Sequence, residues 1–372
     1  MSGVPTVTKS GKKRIFYFDA LRALAILAVI FFHSSKRIRA LIMSYYSSPP
    51  NLHWIFGDFT FAGLVIGVCL FLMLSGALSL GREWDIKTFL GKRIPRITEP
   101  FVFWGLVFSF IILFLQYQFP DLLHVVDTFD FNSIANFILG AFSANSFGFG
   151  PYWFFWMIFG IYLIMPVLNK WLLHADLKEA EYFLAIWLIS CLFDYTLMIE
   201  FPIKITYFSG PIGMVVLGYY LRHTKRKIFS GRLFPIACII VGLSCLLIGS
   251  YIFSSSTFIF KFNMYSIFSA IYASGIFLLF RNFSGIKLPT FMSNPNGIVR
   301  KSIYSLAKYS YGFYLIHQPV MDIFIKILKY FGMFKGYYTL YFTLGIVTLA
   351  VSWLIMAGLD RIPYVNKVIG AK

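Results

Sequence analysis

Three side chains within one apolar stretch have the types needed for acid–base and anion chemistry: Asp19, Arg22 and His33. On a helix turning about 100° per residue, Arg22 lies about 60° and His33 about 40° from Asp19 on the same side, so one face carries all three. Arg22 and His33 are then about 16 Å apart along the axis. A neutral imidazole can take a proton from a hydroxyl, and a guanidinium can hold an anion. The competing account is an interfacial arginine snorkelling to headgroups beside a satisfied structural histidine, but Asp19 is a poor choice for a lipid-facing position.

A second histidine, His317, follows Ser310-Tyr311-Gly312-Phe313-Tyr314-Leu315-Ile316 and precedes Gln318-Pro319. Pro319 frees a carbonyl one turn back, near Leu315, so a kink beside a polar cavity is expected. Lys92, Arg93 and Arg96 form a basic cluster. Arg93 and Arg96 stand one helical turn apart and can clamp phosphates, although such clusters also serve as ordinary topology signals. The run Gly150-Pro151-Tyr152-Trp153-Phe154-Phe155-Trp156 reads either as an interfacial aromatic belt or as faces on which a sugar can stack. Ser75-Gly76 is a small pair of the kind that lets another helix approach closely. Cys69, Cys191, Cys238 and Cys245 lie in apolar runs with no CxxC spacing, so they read as packing residues and no metal site is expected.

The elements that must position these residues are membrane spans. Of 372 residues, 59% are hydrophobic and only 13% charged, with a mean hydropathy of +0.75. Ordinary soluble chains carry about a quarter charged residues, so secreted and nucleoplasmic classes are excluded. Apolar runs near 15–36, 60–81, 98–118, 151–171, 181–199, 206–222, 233–253, 264–281, 307–329 and 338–358 predict an all-α polytopic membrane protein with about ten transmembrane helices. With the N-terminus in the cytoplasm, 23 Lys and Arg fall on the cytoplasmic side and 7 on the other, which predicts both termini cytoplasmic. The same distribution explains the net charge of +18 without a nucleic-acid partner. Lys12-Lys13-Arg14 followed by an apolar stretch resembles a signal peptide, but Asp19 and Arg22 interrupt it, so an uncleaved signal anchor is expected. The longest connection, residues 119–150, should face outward and hold a short amphipathic helix near Ser133–Phe142. The expected organisation is a cytoplasmic tail at 1–14, one transmembrane domain at 15–358 and a cytoplasmic tail at 359–372.

Four segments together resemble the acyltransferase-3 family of bacterial integral-membrane O-acyltransferases. They are Phe18-Asp19-Ala20-Leu21-Arg22-Ala23-Leu24-Ala25 with His33, Phe71-Leu72-Met73-Leu74-Ser75-Gly76, Arg93-Ile94-Pro95-Arg96, and Ser310 through Pro319. The segment Trp153 to Pro166 is similar to the branch containing the enterobacterial common antigen acetyltransferase. Pro95 stands where the family often has a bulky aliphatic residue, which predicts altered helix geometry there. The resemblance implies an acyl-CoA donor, usually acetyl-CoA, used as a substrate with no bound cofactor. It also implies a glycan or lipid-linked saccharide acceptor and a place in the bacterial inner (cytoplasmic) membrane. His33, with Asp19 and Arg22, would be the catalytic group. Arg93, Arg96, Lys92 and Ser75 would lie on the acyl-CoA side, and Tyr152, Trp153 and His317 on the acceptor side. Arg22, His33 and His317 could equally line a transport path, so a transporter or flippase of polysaccharide or lipid-linked saccharide is the alternative.

Overall fold

In the computed structural model, the described residues are 14–41, 52–200, 202–203, 205–252, 264–283, 294, 297–333 and 336–371. Lys9, Lys12, Lys13, Lys204, Lys261, Lys287, Lys335 and Lys372, all counted above for orientation, lie outside them, as does nearly all of the expected tail at 1–14. The elements are α1 (Phe16–Leu41), α2 (Leu52–Leu64), α3 (Ile66–Ser79), α4 (Ile86–Gln118), α5 (Phe131–Phe142), α6 (Trp153–His174), α7 (Leu177–Cys191), α8 (Pro211–His223), α9 (Leu233–Ile252), α10 (Ile267–Phe283), α11 (Ile298–Tyr330), α12 (Tyr337–Leu359) and the short α13 (Val365–Val368). No strand occurs among the described residues.

Among the described residues, six segments are long and apolar enough to cross a membrane: Phe16–Ile38, Leu52–Ser79, Ile86–Gln118, Gly150–His174, Leu177–Leu197 and Tyr337–Leu359. Four of the expected ten are not among these six. The stretch at 206–222 folds as a helical turn at Thr206–Phe208 followed by the 13-residue α8, which spans about 20 Å against a hydrocarbon core of about 30 Å. The described apolar parts at 233–253 and 264–281 are Leu233–Gly249 and Ile267–Phe283. The stretch at 307–329 lies inside the 33-residue α11, which is long enough but carries Lys308, His317, Gln318, Asp322 and Lys326. The apolar helices expose large side chains, among them Phe110, Phe114, Leu163, Ile240 and Leu354, as lipid-facing surfaces do.

The chain divides into two compact units. The first comprises Met1–Ala28, Asp58–Glu83 and Val167–Ala307, and the second Val29–Gly57, Trp84–Pro166 and Lys308–Lys372. Helix α1 therefore gives its first half to one unit and its second half to the other.

In the first unit, α3 and α8 press backbone to backbone. A β-carbon on Gly76 would overlap the Val215 carbonyl, and one on Gly218 would overlap the Met73 carbonyl. This is the close approach expected of Ser75-Gly76, with Gly218 as its counterpart. Arginines tie off helix ends: Arg222 donates to the Ala77 carbonyl, and Arg281 donates to the carbonyls of Leu221 and Phe229. Such bonds satisfy terminal carbonyls that have no partner within their own helix.

In the second unit, α4 is capped by Asp85, which accepts from the Thr88 amide at 3.1 Å, and it runs unbroken through Pro95 and Pro100. The altered geometry expected at Pro95 does not interrupt the helix. Pro319 is likewise contained within α11. The loop after α4 folds onto Gln116, whose Oε1 accepts from the amides of Val125 and Val126 at 2.7 and 3.0 Å. Asp130 caps α5, the amphipathic helix expected near Ser133, by accepting from the Ser133 amide at 3.0 Å. The Thr128 hydroxyl, followed by the Ser133 amide and hydroxyl, holds the Asp130 carboxyl well below the usual range. The segment after α13 is built into this unit. Ile369 is fully buried and its carbonyl accepts from Trp104 Nε1 at 3.0 Å, while a β-carbon on Gly312 would meet both that carbonyl and Met356.

Candidate functional site

At the start of α1, in the first unit, Asp19 is 3% exposed and serves two arginines. Arg14 grips it with Nε to Oδ2 at 2.6 Å and Nη2 to Oδ1 at 3.1 Å, and Arg22 Nη1 reaches Oδ1 at 3.5 Å. The Asp19 hydrogen bond raises the Arg14 pKa further above its ordinary value. Fork-on-carboxylate geometry of this kind is strong and directional. The sequence pattern correctly associates Asp19 with Arg22 but misses Arg14, which it treats as a tail charge.

The same end of α1 collects further guanidinium groups. Arg222 lies 5.2 Å over the Phe18 ring, Arg300 4.7 Å over Phe16, and Arg14 4.3 Å over Tyr304. Tyr17 meets Phe277, one turn before Arg281 on α10. Arg222, Arg281 and Arg300 are scattered over three helices of this unit, and their only sequence signal is the general excess of positive charge at span ends. Ser75 is half-buried on α3, beside the α3–α8 crossing.

The second unit holds the histidines. The rings of His33 on α1 and His317 on α11 are 5.0 Å apart, centroid to centroid, tilted by 47°. His317 is fully buried. Its Nδ1 lies 2.7 Å from the Tyr314 carbonyl and 3.1 Å from that of Phe313. Carbonyls only accept, so Nδ1 carries the proton and, in the neutral ring, Nε2 carries the lone pair. That Nε2 is buried with no hydrogen-bond partner among the described residues. Leaving a buried acceptor unsatisfied costs about 1–3 kcal/mol, which a folded protein tolerates where a ligand completes the bond.

Around this pair the aromatic loop is drawn in. The Tyr314 hydroxyl donates to the Pro151 carbonyl, and the Tyr314 ring sits 5.7 Å from His317 and 4.8 Å from Phe154. Tyr152 is buried against Phe101 and Phe149, with its hydroxyl unpaired among the described residues. Trp153 is 38% exposed and meets Phe154 edge-on. Tyr152 and His317 thus share a neighbourhood through Tyr314, while Trp153 lies at its border.

Below His33 on α1, Arg37 pairs with Asp322 on α11 at 2.7 Å, and Gln318 Nε2 donates to both Asp322 oxygens at 3.0 Å each. Sequence reasoning counts Arg37 only as a loop charge and passes over Asp322 and Gln318.

Also in this unit, Lys92, Arg93 and Arg96 stand near the start of α4 with their helical spacing intact. Lys92 and Arg96 are exposed, and the half-buried Arg93 lies 5.7 Å over Phe89, which stacks on Trp84 at 4.0 Å.

Apolar helices, buried aspartates paired with arginines and an imidazole pair with one fully buried member together define a helical membrane protein with a buried polar site. Residues 15–357 match the acyltransferase-3 family, described as an acyltransferase domain, and the chain belongs to that family. It is a membrane acyltransferase, and this match gives the transport alternative no support. No curated protein and no solved structure matches the chain.

Proposed function

We propose that this protein moves an acyl group, most simply acetyl, from cytoplasmic acyl-CoA to a hydroxyl of a cell-surface polysaccharide or lipid-linked glycan. It would do so in the inner membrane of a bacterium, with about ten spans, both termini in the cytoplasm and Trp153–Pro166 marking the enterobacterial common antigen branch. The 15–358 stretch would act as one transmembrane catalytic domain between the two tails.

The observation that carries this reading is the His33–His317 pair, in which the His317 tautomer is fixed. In the proposed reaction, His33 takes the proton of the acceptor hydroxyl as the oxygen attacks the thioester carbonyl. The carbon–sulfur bond then breaks, and the coenzyme A thiolate leaves and takes up a proton. General-base help of this type contributes about 10²–10⁴-fold. His317 Nε2, an acceptor in its neutral form, receives a hydrogen bond from the acceptor, and Tyr152 and Trp153 offer it aromatic faces. In the first unit, Asp19 holds Arg22, and Ser75 is assigned to the acyl-CoA; in the second, Arg93, Arg96 and Lys92 are assigned to its phosphates. Mass spectrometry of surface glycans from cells with and without the protein tests the reading. An acetyl-sized mass gain per modified sugar is expected only when the protein is present, and identical glycan masses would reject it.

The donor assignment makes its own prediction. Arg93→Ala or Arg96→Ala should raise the acyl-CoA concentration needed for half-maximal rate by about 10-fold, the scale of one charge-assisted hydrogen bond. The acceptor requirement should change little, and lysine should restore the loss only in part, because it lacks the planar fork. Purified variants that bind coenzyme A normally and lose acceptor affinity would move these arginines to the other side of the reaction.

A further inference from the structure

The second unit buries two hydrogen-bond acceptors on consecutive residues, His317 Nε2 and Gln318 Oε1, and neither meets a donor among the described residues. The orientation of the Gln318 amide follows from its neighbour. Both Asp322 oxygens lie 3.0 Å from one end of the amide, and only the NH2 group can serve a carboxylate, so the carbonyl oxygen must be the end directed away. Asp322, 4% exposed, is itself fixed by Arg37 at 2.7 Å. Arg37, Asp322 and Gln318 therefore form a chain that locks the amide in one orientation and leaves a buried carbonyl waiting for a donor. A helix that needed only to pack here would carry an apolar side chain, since a buried polar group without its partner is destabilising.

We propose that Gln318 Oε1 is a subsite for a hydroxyl group of the acyl acceptor, and that Asp322 and Arg37 are its positioning residues. The ligand class rests on the acyl-transfer reading above. The chemistry of the site narrows it further. A buried acceptor with no donor calls for a ligand that donates, as a hydroxyl of a carbohydrate does. A phosphate dianion, a carboxylate or a thioester carbonyl offers only acceptors and finds no partner here. The Arg37–Asp322 pair carries no net charge, which suits an uncharged hydroxyl. The subsite therefore belongs to the glycan and not to the acyl-CoA.

Equilibrium binding of radiolabelled envelope glycan, prepared from cells lacking the protein, to the purified full chain in lipid nanodiscs reads this subsite without any acyl donor. Gln318→Met, close in volume, should weaken glycan binding by about 10-fold, the scale of one hydrogen bond into a desolvated site. Asp322→Asn should weaken it several-fold by letting the amide turn over, and Arg37→Lys should lose less than Arg37→Ala. Coenzyme A binding should be unchanged in all four, a result that general misfolding would not give. Wild-type glycan binding by Gln318→Met, a parallel loss of coenzyme A binding, or no glycan binding by the unaltered protein would each overturn the proposal. Glycan acylation in cells is scored separately, so glycan binding without acylation would reject the acyl-transfer reading and leave the subsite in place.

Discussion

Replacing His33 with alanine should abolish acyl transfer, a loss of about 10²–10⁴-fold, while leaving the amount of membrane-inserted protein nearly unchanged. The ring lies 5.0 Å from that of His317, whose Nε2 lone pair is assigned above to hold a hydroxyl of the acceptor and not to take the reacting proton. Insertion should survive because alanine keeps the apolar length of α1 and removes only a half-buried polar ring. The measurement is transfer rate at matched protein levels, from acyl-CoA to envelope glycan. Near wild-type transfer would remove His33 from the mechanism. His33→Gln gives a useful comparison, since it retains hydrogen bonding but cannot take up a proton at neutral pH.

An equally large effect, on assembly and not on chemistry, is expected at the crossing of α3 and α8. Gly76→Val or Gly218→Val should yield no folded protein, because the added carbons would occupy the space of a carbonyl on the facing helix. A flexible side chain could turn aside, whereas two backbones pressed together can only separate, which would break the packing on which membrane helices depend. Gly160→Ala is the internal control: nothing lies near a β-carbon there, and the change should be neutral or stabilise by up to about 1 kcal/mol through helix propensity. Size-exclusion profiles and thermal melts of the solubilised variants decide the matter. A Gly76→Val protein that elutes and melts like the wild type would mean that the two helices are not held in this contact.

What the sequence makes legible follows from the range over which each signal acts. The small pair at Ser75-Gly76, the amphipathic α5 and the association of Asp19 with Arg22 are local patterns, and each appears in the structure. The pairing of Arg37 with Asp322 joins residues 285 positions apart, and no periodicity reports on it. Arg37 was open to misreading because α1 continues to Leu41, past the expected end of the first span, and carries that arginine with it. The expected span at 307–329 is the reverse case. His317, Gln318 and Asp322 depress its hydropathy, yet all three are buried in protein, so what lipid would meet on α11 is more apolar than the segment average. Span counting averages over a helix, whereas burial separates its faces. Family motifs find His33 and His317 individually but say nothing of the lock on Gln318, which becomes visible only when its three members are seen together.

The anchoring of Ile369 between Trp104 and Gly312 also sets an order of events during biosynthesis. The described core of the first unit is drawn from residues up to Ala307 and is complete in sequence while a long stretch of chain is still to be made. The second unit must wait. Its helix α4 leaves the ribosome early, yet the indole of Trp104 receives its hydrogen-bond acceptor only after synthesis has passed Ile369. During that interval α4 has to be sheltered by lipid or by the insertion machinery, with a polar N–H still unmatched. The histidine pair shares this delay, since His33 is made long before His317. The second unit therefore closes only when its two distant stretches of chain have met.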